Sequence, residues 1–149
     1  MIRLTKFDVK IVRESGKNYD FDGKTINSSS RAASIIDSVL NISSATQEIF
    51  GIVTLDTQKN VTGIFEVTKG IIDESVVHPR EVFQRAILQN AHSILLFHNH
   101  PSGSKEPSNA DIRTTNRLLE SAEILGIKIL DHIIITQNGY TSFREEGYM

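Results

Sequence analysis

The sequence predicts an α/β protein: a three-layer α/β/α sandwich built on a mixed sheet. Three observations lead there. Strand-like and helix-like hydrophobic patterns alternate along the 149 residues. Hairpin signals interrupt that alternation, so the sheet holds antiparallel as well as parallel pairs. Finally, Ser93 to Phe97 carries a short unbroken apolar run, the mark of a strand buried on both faces.

The elements follow in order. Ile2, Leu4, Val9 and Ile11 suggest an N-terminal strand, followed by a polar Gly/Asn/Asp segment to about Thr25. Ser28-Ser29-Ser30 reads as a helix start, and Ala32, Ile35, Ile36, Val39 and Leu40 follow at helical spacing. We therefore expect an extension over residues 1–27 and a main domain over 28–149. Ile49 to Leu55 reads as a strand, residues 56–60 as a turn and Val61 to Thr68 as its hairpin partner. A loop through Gly70 to Val77 leads to Pro79, which suits a first helical position. Val82, Phe83, Ala86, Ile87 and Leu88 form the apolar stripe of that helix. After the buried strand, Ser108 starts a helix with Ile112, Leu118, Leu119, Ala122 and Leu125 on one face, and Gly126 stops it. Ile127 to Ile135 is a strand, Asn138-Gly139 a tight turn, and Tyr140 to Phe143 the returning strand.

Composition narrows the function. Apolar residues make up 39% and charged residues 23%, an ordinary globular balance. Cysteine is absent, which removes disulfides, thiolate zinc sites, iron–sulfur clusters and cysteine nucleophiles together. The net charge of −2 lacks the electrostatic footprint of a nucleic-acid binder. No apolar run has the length of a membrane helix, and the first dozen residues carry no signal-peptide core, so a cytoplasmic location is expected.

The chemistry gathers in HNHPSGSKEPSNAD, residues 98–111. His98 and His100 are two apart at a strand end, so both imidazoles face one side, roughly 6.5–7 Å apart at Cα, and Asn99 faces the other. Pro101 ends the strand. Asp111, in the first turn of the next helix, can add a carboxylate oxygen. Two histidines and one aspartate leave a fourth tetrahedral position open, as a catalytic zinc requires. Such a site activates water at neutral pH and needs a carboxylate base near the metal but not on it. A plainer reading also fits: Ser108-x-x-Asp111 is a capping box. The two roles are compatible, because a carboxylate has two oxygens.

H-x-H, seven residues, then S-x-x-D, standing here as His98, His100, Ser108 and Asp111, resembles the JAMM motif of the JAB/MPN metalloenzymes. VHPREVF (77–83), HNHPSG and LDHIII (130–135) narrow the resemblance to the bacterial RadC family, from about Ser28 to the C-terminus. The resemblance implies a cytidine-deaminase-like α/β/α fold and one Zn2+ per chain, held by His98, His100 and Asp111. It also implies that Ser108 hydrogen-bonds the reacting oxygen, and that a glutamate preceding an apolar strand is the base. Glu48 fits that place, with Glu66 and Glu81 as alternatives. His78 and His132 are candidates for a supporting layer or a groove. One departure stands out. Family members usually carry an N-terminal helix-hairpin-helix region, and the first 27 residues show no such glycine-hairpin pattern.

Three functions compete. A zinc hydrolase of the peptidase or isopeptidase type, acting on a protein or peptide, follows from the open site. A nucleic-acid module in DNA repair follows from the family label alone, against the net charge and only 10 aromatic residues for stacking. A metal-binding interaction domain without catalysis is the third. Substrate and oligomeric state have no readable code.

Overall fold

Ser28 opens the first helix of the computed structural model, which describes residues 1–8, 11–13, 16–70 and 76–149. Its hydroxyl accepts the Arg31 N–H and satisfies one of the orphan donors of α1 (Ser29–Leu40). Asn41 ends α1 in the left-handed conformation, and a 3-10 turn (Ile42–Ser44) leads to the sheet. Strands β1 (Glu48–Leu55) and β2 (Val61–Gly70) form the expected hairpin. Then come α2 (Pro79–Leu88), β3 (Ser93–Asn99), α3 (Asn109–Leu125), β4 (Lys128–Thr136) and β5 (Gly139–Ser142). Pro79 holds the first position of α2, and Gly126 ends α3 with φ +70°.

The sheet order is β2-β1-β3-β4-β5. β3 and β4 run parallel across the α3 crossover, and the other neighbours run antiparallel. Alternation along each strand divides the core in two. Ile49, Val53, Leu95, Phe97, Ile133 and Ile135 face α1, meeting Ala32, Ile35 and Ile36. Phe50, Ile52, Ile94, Leu96 and Ile129 face α2 and α3, meeting Val82, Phe83, Ala86, Leu118 and Ala122. Every residue of β3 is buried, as the apolar run predicts for a central strand covered on both sides. The three-layer sandwich is therefore the fold.

The expected N-terminal strand is not formed by the described residues 1–8 and 11–13. Val9 lies outside the described residues, as does 71–75 of the expected Gly70–Val77 loop. Ile2 and Leu4 are 83% and 85% exposed. An apolar alternation becomes a strand only where another edge pairs with it. The pairing of this region with the body starts later, at the bridge between Thr25 and Asn60. The Arg31 guanidinium then ties the segment down by donating to the carbonyls of Asp22, Gly23 and Thr25.

Candidate metal centre

β3 sets the first ligands. Because its side chains alternate, His98 lies on the α3 side of the sheet and Asn99 on the α1 side. Asn99 is buried there. Its Oδ1 accepts the Ile49 N–H at 2.6 Å, and its Nδ2 donates to the carbonyls of Ile42 (3.1 Å) and Gln47 (3.0 Å). The chain then leaves the strand at His100 and loops to Ser108. Asn138 of the β4–β5 turn donates to the Gly103 carbonyl and Thr141 of β5 to the Lys105 carbonyl, which pins this loop. Gly103 suits the place: its φ is +82°, and a Cβ there would sit 2.7 Å from Asn138 Nδ2.

Helix α3 brings the carboxylate. The capping box forms in full: Ser108 Oγ accepts the Asp111 N–H at 3.0 Å, and Asp111 Oδ2 accepts the Ser108 N–H at 2.8 Å. The same Oδ2 lies 3.1 Å from His100 Nε2 and 3.4 Å from His98 Nε2, and the two Nε2 atoms are 2.9 Å apart. Cap and centre therefore share one oxygen, where the sequence suggested a division between two. One carboxylate oxygen has lone pairs for both.

This triangle fits a small cation. Tetrahedral zinc at about 2.0–2.1 Å from each ligand places ligand atoms roughly 3.3 Å apart. His100 Nδ1 lies 2.8 Å from the Ser104 carbonyl, which can only accept, so the proton belongs on Nδ1 and Nε2 offers a lone pair. Lone pairs and a carboxylate charge thus converge on one point. Among the described residues, His98, His100 and Asp111 form the group of side chains able to hold a metal ion together. His98 is 3% exposed at its side chain, against 13% for His100 and 15% for Asp111, so the centre opens to solvent on one side. Ser108, which is exposed, sits beside the centre through its capping bonds with Asp111.

The electrostatics agree. The hydrogen bond to Asp111 raises the His100 pKa, with help from the Ser104 carbonyl and the charges of Asp111 and Glu48, against the opposing effect of burial. Burial pushes the Asp111 carboxyl up. The hydrogen bond with His100, the neighbouring imidazole of His98 and the Ser108 N–H outweigh it, and the group stays far below the usual carboxylate range. A proton on His100 balances the Asp111 charge, whereas a divalent ion would leave the cluster at a net +1.

The other predicted residues separate cleanly. Antiparallel register pairs Phe50 with His98. Half-buried Glu48 opens β1 two residues before Phe50, and its charge acts on His100. Glu66 is exposed on the edge strand β2, paired with Gly51, and Glu81 is exposed in the first turn of α2. His78 precedes α2 in the capping position, exposed, and makes no side-chain capping bond. His132 is fully buried, and its Nε2 lies 2.7 Å from His98 Nδ1. Two residues escape a reading of the sequence alone. Thr115 touches His132, and the Ser104 carbonyl orients His100. Thr115 leaves one trace: it stands a turn after Asp111, at a position of the α3 stripe where an apolar residue is expected.

The chain is thus an α/β/α sandwich whose middle strand ends in a two-histidine, one-carboxylate group that could hold a metal ion. Residues 26–148 match the family of RadC-like JAB domains, and the chain belongs to that family. It is 48% identical over 101 residues to a UPF0758 protein of Thermotoga maritima, covering 68% of this chain and 46% of that protein. It is 47% identical over 103 residues to one of Desulfitobacterium hafniense, covering 69% of this chain and 45% of the other. It is 45% identical over 128 residues to one of Staphylococcus epidermidis, covering 86% and 56%. The chain spans about half the length of these relatives. No helix among the described residues is long and apolar enough to cross a membrane.

Proposed function

We propose that the protein is a zinc-dependent hydrolase of the peptidase or isopeptidase type, acting on an amide bond of a protein or peptide. The observation that carries this reading is the convergence of His98 Nε2, His100 Nε2 and Asp111 Oδ2 within 3.4 Å of one another, open to solvent on one side. Zinc fits the imidazole and carboxylate donors, and when bound it acidifies water and polarises a carbonyl. Ser108 has the next role. Its Oγ already accepts the Asp111 N–H, which leaves the hydroxyl proton to donate to the oxygen that gains charge as the amide is attacked. Glu48, whose charge acts on His100, takes the proton of the attacking water and passes it to the leaving amine.

The test uses a library of peptides and isopeptide-linked substrates, with and without chelator. Glu48→Gln is expected to hold as much zinc as wild type and to lose at least about 100-fold in turnover. Equal turnover in that variant removes Glu48 from the mechanism. Turnover that chelator leaves untouched removes the metal.

A further inference from the structure

The buried side of the centre holds a chain of polar groups that the hydrolytic scheme does not use. Thr115 Oγ1 lies 2.7 Å from the Asp111 carbonyl, and that oxygen can only accept, so the hydroxyl proton points there. Thr115 Oγ1 is also 2.7 Å from His132 Nδ1. With its own proton committed, the hydroxyl accepts, and Nδ1 must carry the hydrogen. His132 is fully buried between the Phe50 and Phe143 rings, with Thr115 and His98 on its two nitrogens and no carboxylate bonded to it, an environment that suits a neutral ring. A neutral imidazole protonated at Nδ1 accepts at Nε2. His132 Nε2 is 2.7 Å from His98 Nδ1, so His98 donates from Nδ1 and keeps its Nε2 lone pair facing Asp111 and His100.

We infer that Thr115 and His132 are positioning residues that hold His98 in its Nδ1-protonated tautomer, so that Nε2 is always ready to bind the metal. The inference rests on the metal reading above. The polarity runs one way through every link, and it starts from the backbone of Asp111, the residue whose carboxylate is another ligand. One turn of α3 thus sets both the carboxylate and, through two side chains, the distal histidine. The rings are also held in place. His132 stacks on Phe143 at 4.4 Å between centroids and meets the edge of Phe50 at 5.6 Å, and His98 stacks on Phe50 at 6.2 Å.

Reversing the first link makes the inference testable. In Thr115→Val the hydroxyl is gone at nearly constant volume, and His132 Nδ1–H faces a methyl group. His132 then favours its other tautomer, donates from Nε2, and drives the His98 proton onto the ligating nitrogen. Two readouts are needed on the full chain: zinc affinity by competition with a chromophoric chelator, and the ring tautomers of His98 and His132 by nitrogen-15 NMR of metal-free protein at mildly alkaline pH. Wild type is expected to show both rings protonated at Nδ1. Thr115→Val should shift His132 to Nε2–H and bind zinc about 10- to 100-fold more weakly, the range found for partners of metal-bound histidines. Thr115→Ser, which keeps the hydroxyl, should restore both. His132→Phe should weaken zinc binding to a similar degree, and adding Thr115→Val to it should change little further, because the relay is already cut.

Wild-type tautomers other than Nδ1–H overturn the inference. So does a Thr115→Val protein that keeps both the tautomer and the zinc affinity, or a failure of Thr115→Ser to rescue. Wild type that takes up no zinc defeats the metal reading instead, and the tautomers in metal-free protein still decide the polarity of the relay.

Discussion

Replacing Asn99 by alanine tests how the end of β3 is held to the rest of the sheet. The β1–β3 ladder ends at the pair Phe50 and His98. One residue on, the Asn99 side chain takes over: it accepts the buried Ile49 N–H and donates to the carbonyls of Ile42 and Gln47. Alanine removes all three bonds. A buried N–H left without an acceptor costs about 1–3 kcal/mol, and each carbonyl loses a bond worth about 0.5–1.5 kcal/mol net. Together these come to roughly 2–6 kcal/mol. That is a large part of the roughly 5–15 kcal/mol that holds a domain folded. It corresponds to a fall in Tm of about 5–20 °C at this chain length. Guanidinium unfolding followed by circular dichroism measures it, with a lower midpoint and an unchanged slope. Asn99→Asp is expected to be at least as damaging. It keeps the shape but turns an oxygen toward two carbonyls. A loss below about 1 kcal/mol for Asn99→Ala, or an aspartate variant close to wild type, would refute this account of the strand end.

Two more expectations bear on the core and the centre. Gly51 lies in mid-strand, where a Cβ would sit 2.2 Å from the Phe65 carbonyl oxygen and 2.3 Å from the Phe97 ring. Gly51→Ala should therefore cost at least about 1–3 kcal/mol in a denaturant titration, since the nearest atom is backbone and cannot turn aside; a neutral substitution would show that β1 and β2 part easily. For the metal, the sign of the pH effect follows from His100. Its pKa is raised in the metal-free fold by the hydrogen bond to Asp111, so below that pKa a proton must leave before a metal binds. Apparent zinc affinity should fall as pH drops, by about tenfold per pH unit for each proton displaced. Calorimetry in buffers of different ionisation heat reads the protons released, and an affinity independent of pH across the histidine range would contradict the site.

Much of the fold was legible because its signals are local. Ser28 caps α1, Pro79 starts α2, Gly126 stops α3, and Asn138-Gly139 turns the last hairpin, each through the chemistry of one or two residues. The grouping of His98, His100 and Asp111 was legible for the same reason, since a strand end and the following helix start hold all three. The N-terminal alternation misled because pairing depends on a partner edge, which no run of residues reveals about itself. The relay behind His98 was hidden more deeply. His98 and His132 are 34 residues apart and meet only because β3 and β4 lie side by side. Sequence spacing can set two residues on one face of a strand, but not two rings across neighbouring strands. Thr115 stands in the apolar stripe of α3, and only the fold shows the ring it touches.

The metal itself is the most direct test. Protein purified without chelator or histidine tag, analysed by elemental mass spectrometry beside Asp111→Asn, gives the answer in one experiment. The asparagine keeps an oxygen for the Ser108 N–H, so the helix cap and the fold are expected to survive while the charged ligand is lost. Wild type should carry about one zinc per chain, and the variant should lose most of it while remaining folded. Wild type without metal, even after zinc is added back, would contradict the centre and leave Ser108 and Asp111 as a helix cap alone.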